Sequence, residues 1–289
     1  MKTKASKTKP FSALKLSGIW YHVAVTTFAL VLLYPLLWMV SASFKSDVEI
    51  FQGLNFLPET FIIENFVMGW AGLGGVTFAT FFANSFFIAG VNIIGNVISC
   101  SFAAYAFAKV KFKYKKFWFV IMMGTMMLPM HVTLIPSYIM FNYAGWVNTF
   151  LPLTIPSFLG MNGFFIFMMT QFMRGIPKEL DEASVIDGCN AWMHYLKVIM
   201  PLSLPAIITT SIFTFIWTWN DFFSQMIYLM SMRLFTVSLA LRQFVDATGQ
   251  SSWGALFAMN TLSLVPLFLI FVFLQKYLVE GITAGSIKG

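Results

Sequence analysis

Residues 179–201 read ELDEASVIDGCNAWMHYLKVIMP, an acidic and amphipathic stretch in a chain that is otherwise strongly apolar. Four carboxylates lie in its first nine residues: Glu179, Asp181, Glu182 and Asp187. The chain as a whole is 58% hydrophobic and only 10% charged, whereas a soluble domain carries about 25% charged residues. This composition predicts a membrane protein, in which residues 179–201 form a water-exposed connection between two spans.

The stretch predicts two short helices separated by a glycine. Pro177 suits the first turn of a helix because its missing N–H is not needed there, and the helix dipole favours the carboxylates that follow. Gly188 is typical of a helix end, and Asn190 can cap a second helix, which Pro201 ends as it opens the next span. The segment is either a knob for the groove of a soluble partner or an interfacial hairpin without a partner. The second helix has an apolar stripe of Trp192, Tyr195, Leu196 and Ile199.

Working outward, six runs are long enough to cross a bilayer, which takes about 20 apolar residues in a helix. The sequence therefore predicts an all-α, polytopic membrane protein with six transmembrane helices. The predicted spans are residues 22–42, 79–108, 117–140, 149–173, 201–222 and 256–279.

The basic residues support this count of spans. With six spans, fifteen of the 18 lysines and arginines fall on one side, in the amino-terminal tail, the connection 109–116, the connection 174–200 and the carboxy-terminal end. Because basic residues concentrate on the cytoplasmic side, both termini are predicted to be cytoplasmic. The connection 109–116, KVKFKYKK, is interpreted as a topology anchor against anionic lipid. The net charge of +7 is thus explained without a nucleic acid partner.

Enzyme signatures are missing from the sequence. His22, His131 and His194 lack metal-ligand spacing, and no phosphate-binding G-x-x-x-x-G-K-[ST] loop occurs. We therefore expect a non-catalytic chain that binds neither a metal nor ATP itself. Cys100 and Cys189 are interpreted as ordinary small residues.

Part of the stretch resembles a known motif. Glu182, Ala183, Gly188 and Pro201 match the EAA loop of binding-protein-dependent ABC importers, which reads E-A-A, three residues, G, nine residues, I-x-L-P; Ser184, Val198 and Met200 depart from it. The segment GIPKELDEASVIDG, the segment TWNDFF at 218–223 and the closing GITAGSIKG are similar to the carbohydrate branch, close to the MalG-like permease of maltose-type systems.

This resemblance implies a type I ABC importer permease fold in which the loop is a cytoplasmic coupling helix held in a cleft of an ATPase. Glu182 would pair with a basic residue there, Ala183 would allow close approach and Gly188 would permit the sharp turn. The implied organisation is an amino-terminal tail (1–21), a first helix with an extracellular segment (22–78), a permease core (79–280) with the coupling loop (174–200), and a cytoplasmic tail (281–289). The residues assigned to coupling are Glu179, Glu182, Ala183, Asp187, Gly188 and Pro201.

The resemblance also implies partners and a location. We expect a bacterial plasma membrane protein that works with a second homologous permease, an extracellular solute-binding protein and an ATPase dimer, which would bind the ATP and Mg²⁺. The cargo would be an oligosaccharide or related sugar. The tail 281–289 would reach the ATPase or simply fray. The alternatives are a stand-alone secondary sugar transporter or channel and, less supported by the residues, a membrane-embedded enzyme.

Polar residues inside the predicted spans mark a candidate substrate pathway. Asn, Thr and Trp side chains suit a sugar because they offer hydrogen bonds and an aromatic face, but the same residue types also join helices to one another. In the second span, Ser85, Asn92, Asn96 and Ser99 fall close to one face. The pathway residues are Asn92 and Asn96 in the second span, and Thr210, Thr214, Trp217 and Asp221 in the fifth.

Overall fold

The computed structural model describes residues 18–52, 55–245 and 252–283, and in these ranges the fold is all-α, as predicted. The two tails, 1–17 and 284–289, lie outside the described residues. The helices are α1 (Gly18–Ala42), α2 (Asp47–Gln52), α3 (Glu64–Ala71), α4 (Phe78–Ala108), α5 (Lys115–Thr125), α6 (Met130–Tyr143), α7 (Leu151–Thr154), α8 (Gly163–Gly175), α9 (Lys178–Ile186), α10 (Ala191–His194), α11 (Met200–Leu202), α12 (Leu204–Asn220), α13 (Phe223–Tyr228), α14 (Val237–Gln243) and α15 (Trp253–Thr283).

Four of the six predicted spans correspond to helical stretches long and apolar enough to cross a membrane: Trp20–Ala42, Phe78–Ala108, Leu151–Gly175 and Trp253–Tyr277. The fifth span is half of a bent pair, in which Ala191–Leu202 and Leu204–Asn220 meet at 74°. The sequence predicted that Pro201 ends the second loop helix, and this prediction is wrong. Pro201 lies inside α11, and the break comes at Ser203, whose N–H donates back to Ile199 O (2.9 Å).

The prediction of one unbroken helix over 117–140 is wrong. The region consists of α5 and α6, which are separated by a turn that ends at Pro129, with φ −60° and ψ 132°. Proline lacks an amide hydrogen and disfavours the helical conformation of the residue before it, so the helix must restart there. Neither α5 nor α6 alone has the length of a span.

The centre of the fold is α4, which packs against α8 and α12, and α12 in turn packs against α15. We call the end of the bundle that carries α9 the loop end, and the opposite end, which carries α2, α3, α13 and α14, the far end. One apolar cluster, around Phe78, Trp219 and Met259, fills the far end. A second, around Cys100, Met169 and Ile199, lies toward the loop end.

α1 is apolar on all sides, and its side chains are largely exposed in the isolated chain. Such a helix needs an apolar surrounding along its whole length. This exposure is consistent with a helix that faces lipid or another apolar surface.

Candidate functional site

The loop between α8 and α12 has the helix–glycine–helix form that the sequence predicted. Pro177 lies at the N-cap position, one residue before the first turn of α9, and its side chain forms no capping hydrogen bond. At the other end Gly188 has φ +76°, and its N–H donates to Val185 O (3.0 Å) while the N–H of Cys189 donates to Ser184 O (2.9 Å). This pair of bonds is a Schellman motif, which satisfies the last carbonyls of α9 and reverses the chain.

The second loop helix begins as expected at Asn190. Its side-chain oxygen accepts a hydrogen bond from the N–H of Met193 (2.8 Å), which caps α10. The chain then continues through a π-helical turn, Tyr195–Ile199, into α11. Of the predicted apolar stripe, Tyr195 and Ile199 are buried, whereas Trp192 and Leu196 are exposed. The loop therefore packs on the bundle through Tyr195 and Ile199, and the exposed Trp192 ring also stacks on Phe102 of α4, with centroids 5.4 Å apart.

Most of the predicted coupling residues lie together on the exposed surface of the loop: Glu179, Glu182, Ala183, Asp187 and Gly188. Within the part of the chain that the structure describes, none of these three carboxylates forms an ion pair. Two apolar side chains accompany them, Val185 and Ile186, of which Ile186 is 86% exposed. The loop thus presents acidic and apolar groups that have no partner in these ranges. Pro201 lies away from this surface, in the bent pair.

The fourth carboxylate, Asp181, behaves differently, and the sequence reasoning assigned it no role of its own. Lys109 Nζ lies 2.8 Å from its Oδ2, and His194 Nε2 lies 3.1 Å from its Oδ1. Lys109 comes from the basic connection interpreted as a lipid anchor, but its side chain is only 7% exposed. Lys109 is the C-cap residue of α4, and its spacing of four residues from Tyr105 was the available signal for this contact.

The rest of the basic connection is exposed, with the exception of Lys115, which is partly buried. Its Nζ donates to Val110 O (2.9 Å) just beyond the end of α4. Burial, together with the nearby Arg174 guanidinium, lowers the pKa of Lys115. Lys111, Lys113 and Lys116 keep the exposure that a lipid-facing anchor needs.

A cleft of about 480 Å³ lies between α4, α8 and α12. Five of the six predicted pathway residues line it: Asn92, Asn96, Thr214, Trp217 and Asp221. It adjoins a second cleft of about 740 Å³, which shares Asn92, Asn96 and Trp217. The exception is Thr210, which is fully buried away from both clefts and whose Oγ1 has no hydrogen-bond partner in the described ranges.

Sequence reasoning also missed cleft residues. Asn162 lies at the break before α8, where its side chain caps that helix by accepting from Phe165 N. Thr218 was left out of the helical stripe, and Gln225 follows the end of α12 in α13. Thr218 follows Thr214 by four residues within α12, so helical spacing could have identified it. Asn162 lies at a break and Gln225 beyond a helix end, so only the fold assigns these two to the cleft.

Asn92 and Asn96 of α4 form helix–helix hydrogen bonds and also line the cleft. Asn96 Nδ2 donates to Thr214 Oγ1 (3.4 Å) and Asn92 Nδ2 donates to Thr218 Oγ1 (3.3 Å), joining α4 to α12. The side-chain oxygen of Asn92, Oδ1, accepts no hydrogen bond from the described residues, although Asn92 is only 8% exposed. A buried acceptor without a donor is costly, so Asn92 Oδ1 is suited to receive a ligand hydroxyl.

Trp217 adds an aromatic surface to the cleft. Its ring stacks on Phe165, with centroids 5.0 Å apart and an interplanar angle of 19°, and it remains 45% exposed. The stacked neighbour fixes the orientation of the indole, whose free surface lines both clefts. An aromatic plane beside amide groups is the combination that binds sugar rings.

Comparison with known proteins defines the class to which this fold and loop belong. A family model described as the binding-protein-dependent transport system inner membrane component matches residues 95–284. The chain therefore belongs to that family. It is accordingly a multi-pass protein of the plasma membrane and a non-catalytic permease subunit.

Individual relatives are similar over nearly their whole length. The chain is 34% identical to the probable ABC transporter permease protein YurM of Bacillus subtilis, covering 94% of this chain and 89% of that protein. It is 30% identical to the trehalose/maltose transport system permease protein MalG of Thermococcus litoralis, covering 95% and 98%. The crystal structure of a bacterial ABC transporter involved in the import of the acidic polysaccharide alginate contains a chain with a TM-score of 0.79 and 25% identity, covering 93% of this chain and 99% of that one.

Proposed function

We propose that this chain is a permease subunit of an ATP-driven importer that carries an oligosaccharide or related sugar across the bacterial plasma membrane. Relatives named for arabinooligosaccharides, trehalose and maltose, and diacetylchitobiose support a sugar as cargo. The observation that carries the proposal is the combination of an exposed, acidic loop at one end of the bundle with an amide- and indole-lined cleft inside it.

The loop docks on a separate ATPase subunit, one of a dimer that binds ATP and Mg²⁺. Glu182, Glu179 and Asp187 meet basic groups of that subunit, while Val185 and Ile186 enter an apolar groove. Ala183 permits close approach and Gly188 gives the turn its shape. Because these side chains are exposed and unpaired within the described ranges, docking costs no internal contact.

The cleft forms part of the substrate pathway. A sugar ring stacks on the free surface of Trp217, and one of its hydroxyls donates to Asn92 Oδ1. Asn96 and Thr214 supply further hydrogen bonds from opposite walls, and Asp221 lines the cleft beyond the last turn of α12.

The remaining surfaces serve the other partners. The far end, where α2, α3, α13 and α14 lie, faces the outside and receives the solute-binding protein. The exposed apolar surfaces of α1, α5 and α6 contact lipid and a second, homologous permease. In this orientation the loop end and both termini are cytoplasmic.

Uptake by cells that express the complete transporter tests the proposal, with labelled maltose, trehalose, arabinotriose and diacetylchitobiose as probes. We expect Glu182→Lys to lower uptake by at least about 30-fold, since like charges brought together at an interface cost several kcal/mol. Gly188→Pro should abolish uptake, because proline does not adopt a positive φ. Trp217→Leu should weaken uptake through the cleft without changing the loop.

The matched control is Glu182→Asp, which changes the same exposed side chain but keeps its carboxylate. It should insert in the membrane and transport like the parent. Normal uptake by both Glu182→Lys and Gly188→Pro, or uptake that persists without ATP, would contradict the proposal.

A further inference from the structure

One face of α4 is joined to the loop by a ladder of three polar side chains. Ser101, Tyr105 and Lys109 are spaced by four residues, so they follow one another along one side of the helix. The hydroxyl of Ser101 lies 2.7 Å from that of Tyr195, and the hydroxyl of Tyr105 lies 3.0 Å from Nδ1 of His194. The ladder ends at Lys109, which reaches the loop helix itself.

Asp181 is the residue through which the ladder holds α9. Its carboxylate contacts Lys109 Nζ at 2.8 Å and His194 Nε2 at 3.1 Å, and the same Nζ donates to Ile176 O at 3.1 Å. The side chains of Lys109 and His194 are 7% and 10% exposed. A cation this buried is expensive to leave unpaired, which makes the contact a fixed feature of the packed loop.

The same contacts distinguish Asp181 from the neighbouring acids. Both of its side-chain partners lie outside α9, one at the C-cap of α4 and one on α10, so it does not serve to cap its own helix. Glu182, the next residue, is exposed and makes no ion pair in the described ranges. One acid of the loop therefore faces the bundle while the others face outward.

α4 connects the contacts of Asp181 with Lys109 and His194 to the rest of the fold. The helix runs without a break from Phe78 to Ala108, a length of about 46 Å at 1.5 Å per residue. At the far end Asn84 Nδ2 donates to the carbonyls of Arg233 and Phe235, both at 2.9 Å. Asn92 and Asn96 line the cleft between these two ends.

We propose that Asp181, held by Lys109 and His194, is the positioning residue that fastens the docking loop to α4, so that a displacement of α9 is passed to α4 and reaches the cleft. The inference rests on the proposed coupling function. It assigns Asp181 and Glu182 to different tasks: Glu182 meets the ATPase, and Asp181 transmits the movement into the membrane. Neutralising Asp181 should therefore separate the movement of α9 from that of α4 without removing the surface that docks on the ATPase.

A cysteine placed in the cleft reports whether a movement of α9 reaches the cleft, and this measurement needs no sugar. The reporter chain carries Ser157→Cys, at a residue that lines the larger cleft, with Cys100 and Cys189 replaced by alanine. It is purified as the full complex with its ATPase, and the labelling rate of the new cysteine by a methanethiosulfonate reagent is compared without nucleotide and after trapping with ATP and vanadate. We expect Asp181→Asn to retain the ATPase and its hydrolysis of ATP but to reduce the nucleotide-dependent change in labelling by about tenfold.

The controls separate positioning from misfolding. Lys109→Arg, which keeps a cation opposite Asp181, should preserve the response, whereas Lys109→Met should lose it. Lys197→Met removes an exposed lysine of the loop that is not an ion-pair partner of Asp181 and should behave like the parent. Hydrogen exchange of the purified chain should show faster exchange in α9 for Asp181→Asn and Lys109→Met alone. A full response in Asp181→Asn would overturn the proposal and leave the proposed function intact. A parent complex without any nucleotide-dependent response, or a chain that retains no ATPase, would remove the proposed function and the role of Asp181 with it.

Discussion

At the scale of the residue, the backbone of the loop depends on Gly188. Its φ of +76° lies in the left-handed region, where a side chain crowds the backbone. A Cβ built at this position meets no atom within 4 Å. The restriction therefore comes from the conformation alone and not from the surroundings.

This distinction leads to a graded prediction. Gly188→Ala should lower the free energy of unfolding of the purified chain by about 1 kcal/mol, and Gly188→Asn by less, since asparagine tolerates this conformation better. Thermal unfolding in detergent and hydrogen exchange at the end of α9 measure the two effects. Gly175→Ala is the control, because that glycine also has open space around it but no positive φ; equal destabilisation by Gly175→Ala and Gly188→Ala would count against the explanation.

At the scale of the element, α4 carries two interior glycines with different surroundings. A Cβ at Gly95 would meet the Ser157 hydroxyl and come within 2.9 Å of the Phe158 ring, both in the 3₁₀ turn Ile155–Leu159. At Gly90 it would meet nothing within 4 Å. Gly95 thus lets the turn approach the helix closely, whereas Gly90 has no such neighbour among the residues that the structure describes.

The two alanine variants should therefore have opposite effects. Gly90→Ala should raise the free energy of unfolding of the isolated chain by about 0.5–1 kcal/mol, because alanine loses less conformational freedom in a helix. Gly95→Ala should lower it by about 1–3 kcal/mol through overpacking. Thermal unfolding of the two variants side by side provides the measurement, and a shift of the same sign in both would refute the packing argument.

The elements also show where periodicity is a poor guide. The run 117–140 is apolar enough for a span, yet Pro129 divides it into α5 and α6. A hydropathy average treats proline as one more residue of the run. It does not take into account that proline lacks an amide hydrogen-bond donor and restricts the conformation of the residue before it. In contrast, α4 has no proline and is one continuous helix from Phe78 to Ala108.

At the scale of the whole molecule, the proposed orientation assigns the loop end to the cytoplasm. Cys189 lies in the loop and is partly exposed, whereas Cys100 is buried. The chain therefore contains its own reporter of sidedness.

We expect a membrane-impermeant maleimide to label Cys189 of the chain expressed without its partners in inside-out vesicles, and not in intact spheroplasts. Mass spectrometry of the labelled peptide provides the readout. A chain with Glu59→Cys and Cys189→Ser should show the reverse, since Glu59 is exposed in the segment between α2 and α3 at the far end. Labelling of Cys189 from outside would invert the orientation and exclude docking on a cytoplasmic ATPase.

The sequence by itself determined the features that depend on neighbouring residues. Apolar runs predicted four of the six spans, apart from their exact ends, and the fifth predicted span is one half of a bent pair. The glycine and asparagine of the loop predicted its turn and its second cap. Such features follow from backbone preferences and helix ends, which act over a few residues. The outward-facing carboxylates could be inferred for the same reason, because an acidic segment between apolar runs must remain in water.

Only the tertiary structure decided which of several residues of similar chemistry makes a given contact or lines the cleft. Asp181 rather than Glu182 meets Lys109, 72 residues earlier in the chain. Thr210 faces away from the cleft, while Asn162 and Gln225 line it. Of the two glycines of α4, only Gly95 has another segment of the described chain packed against it. These outcomes depend on which faces of distant helices meet and on where a helix breaks, and the spacing of residues along one helix contains neither.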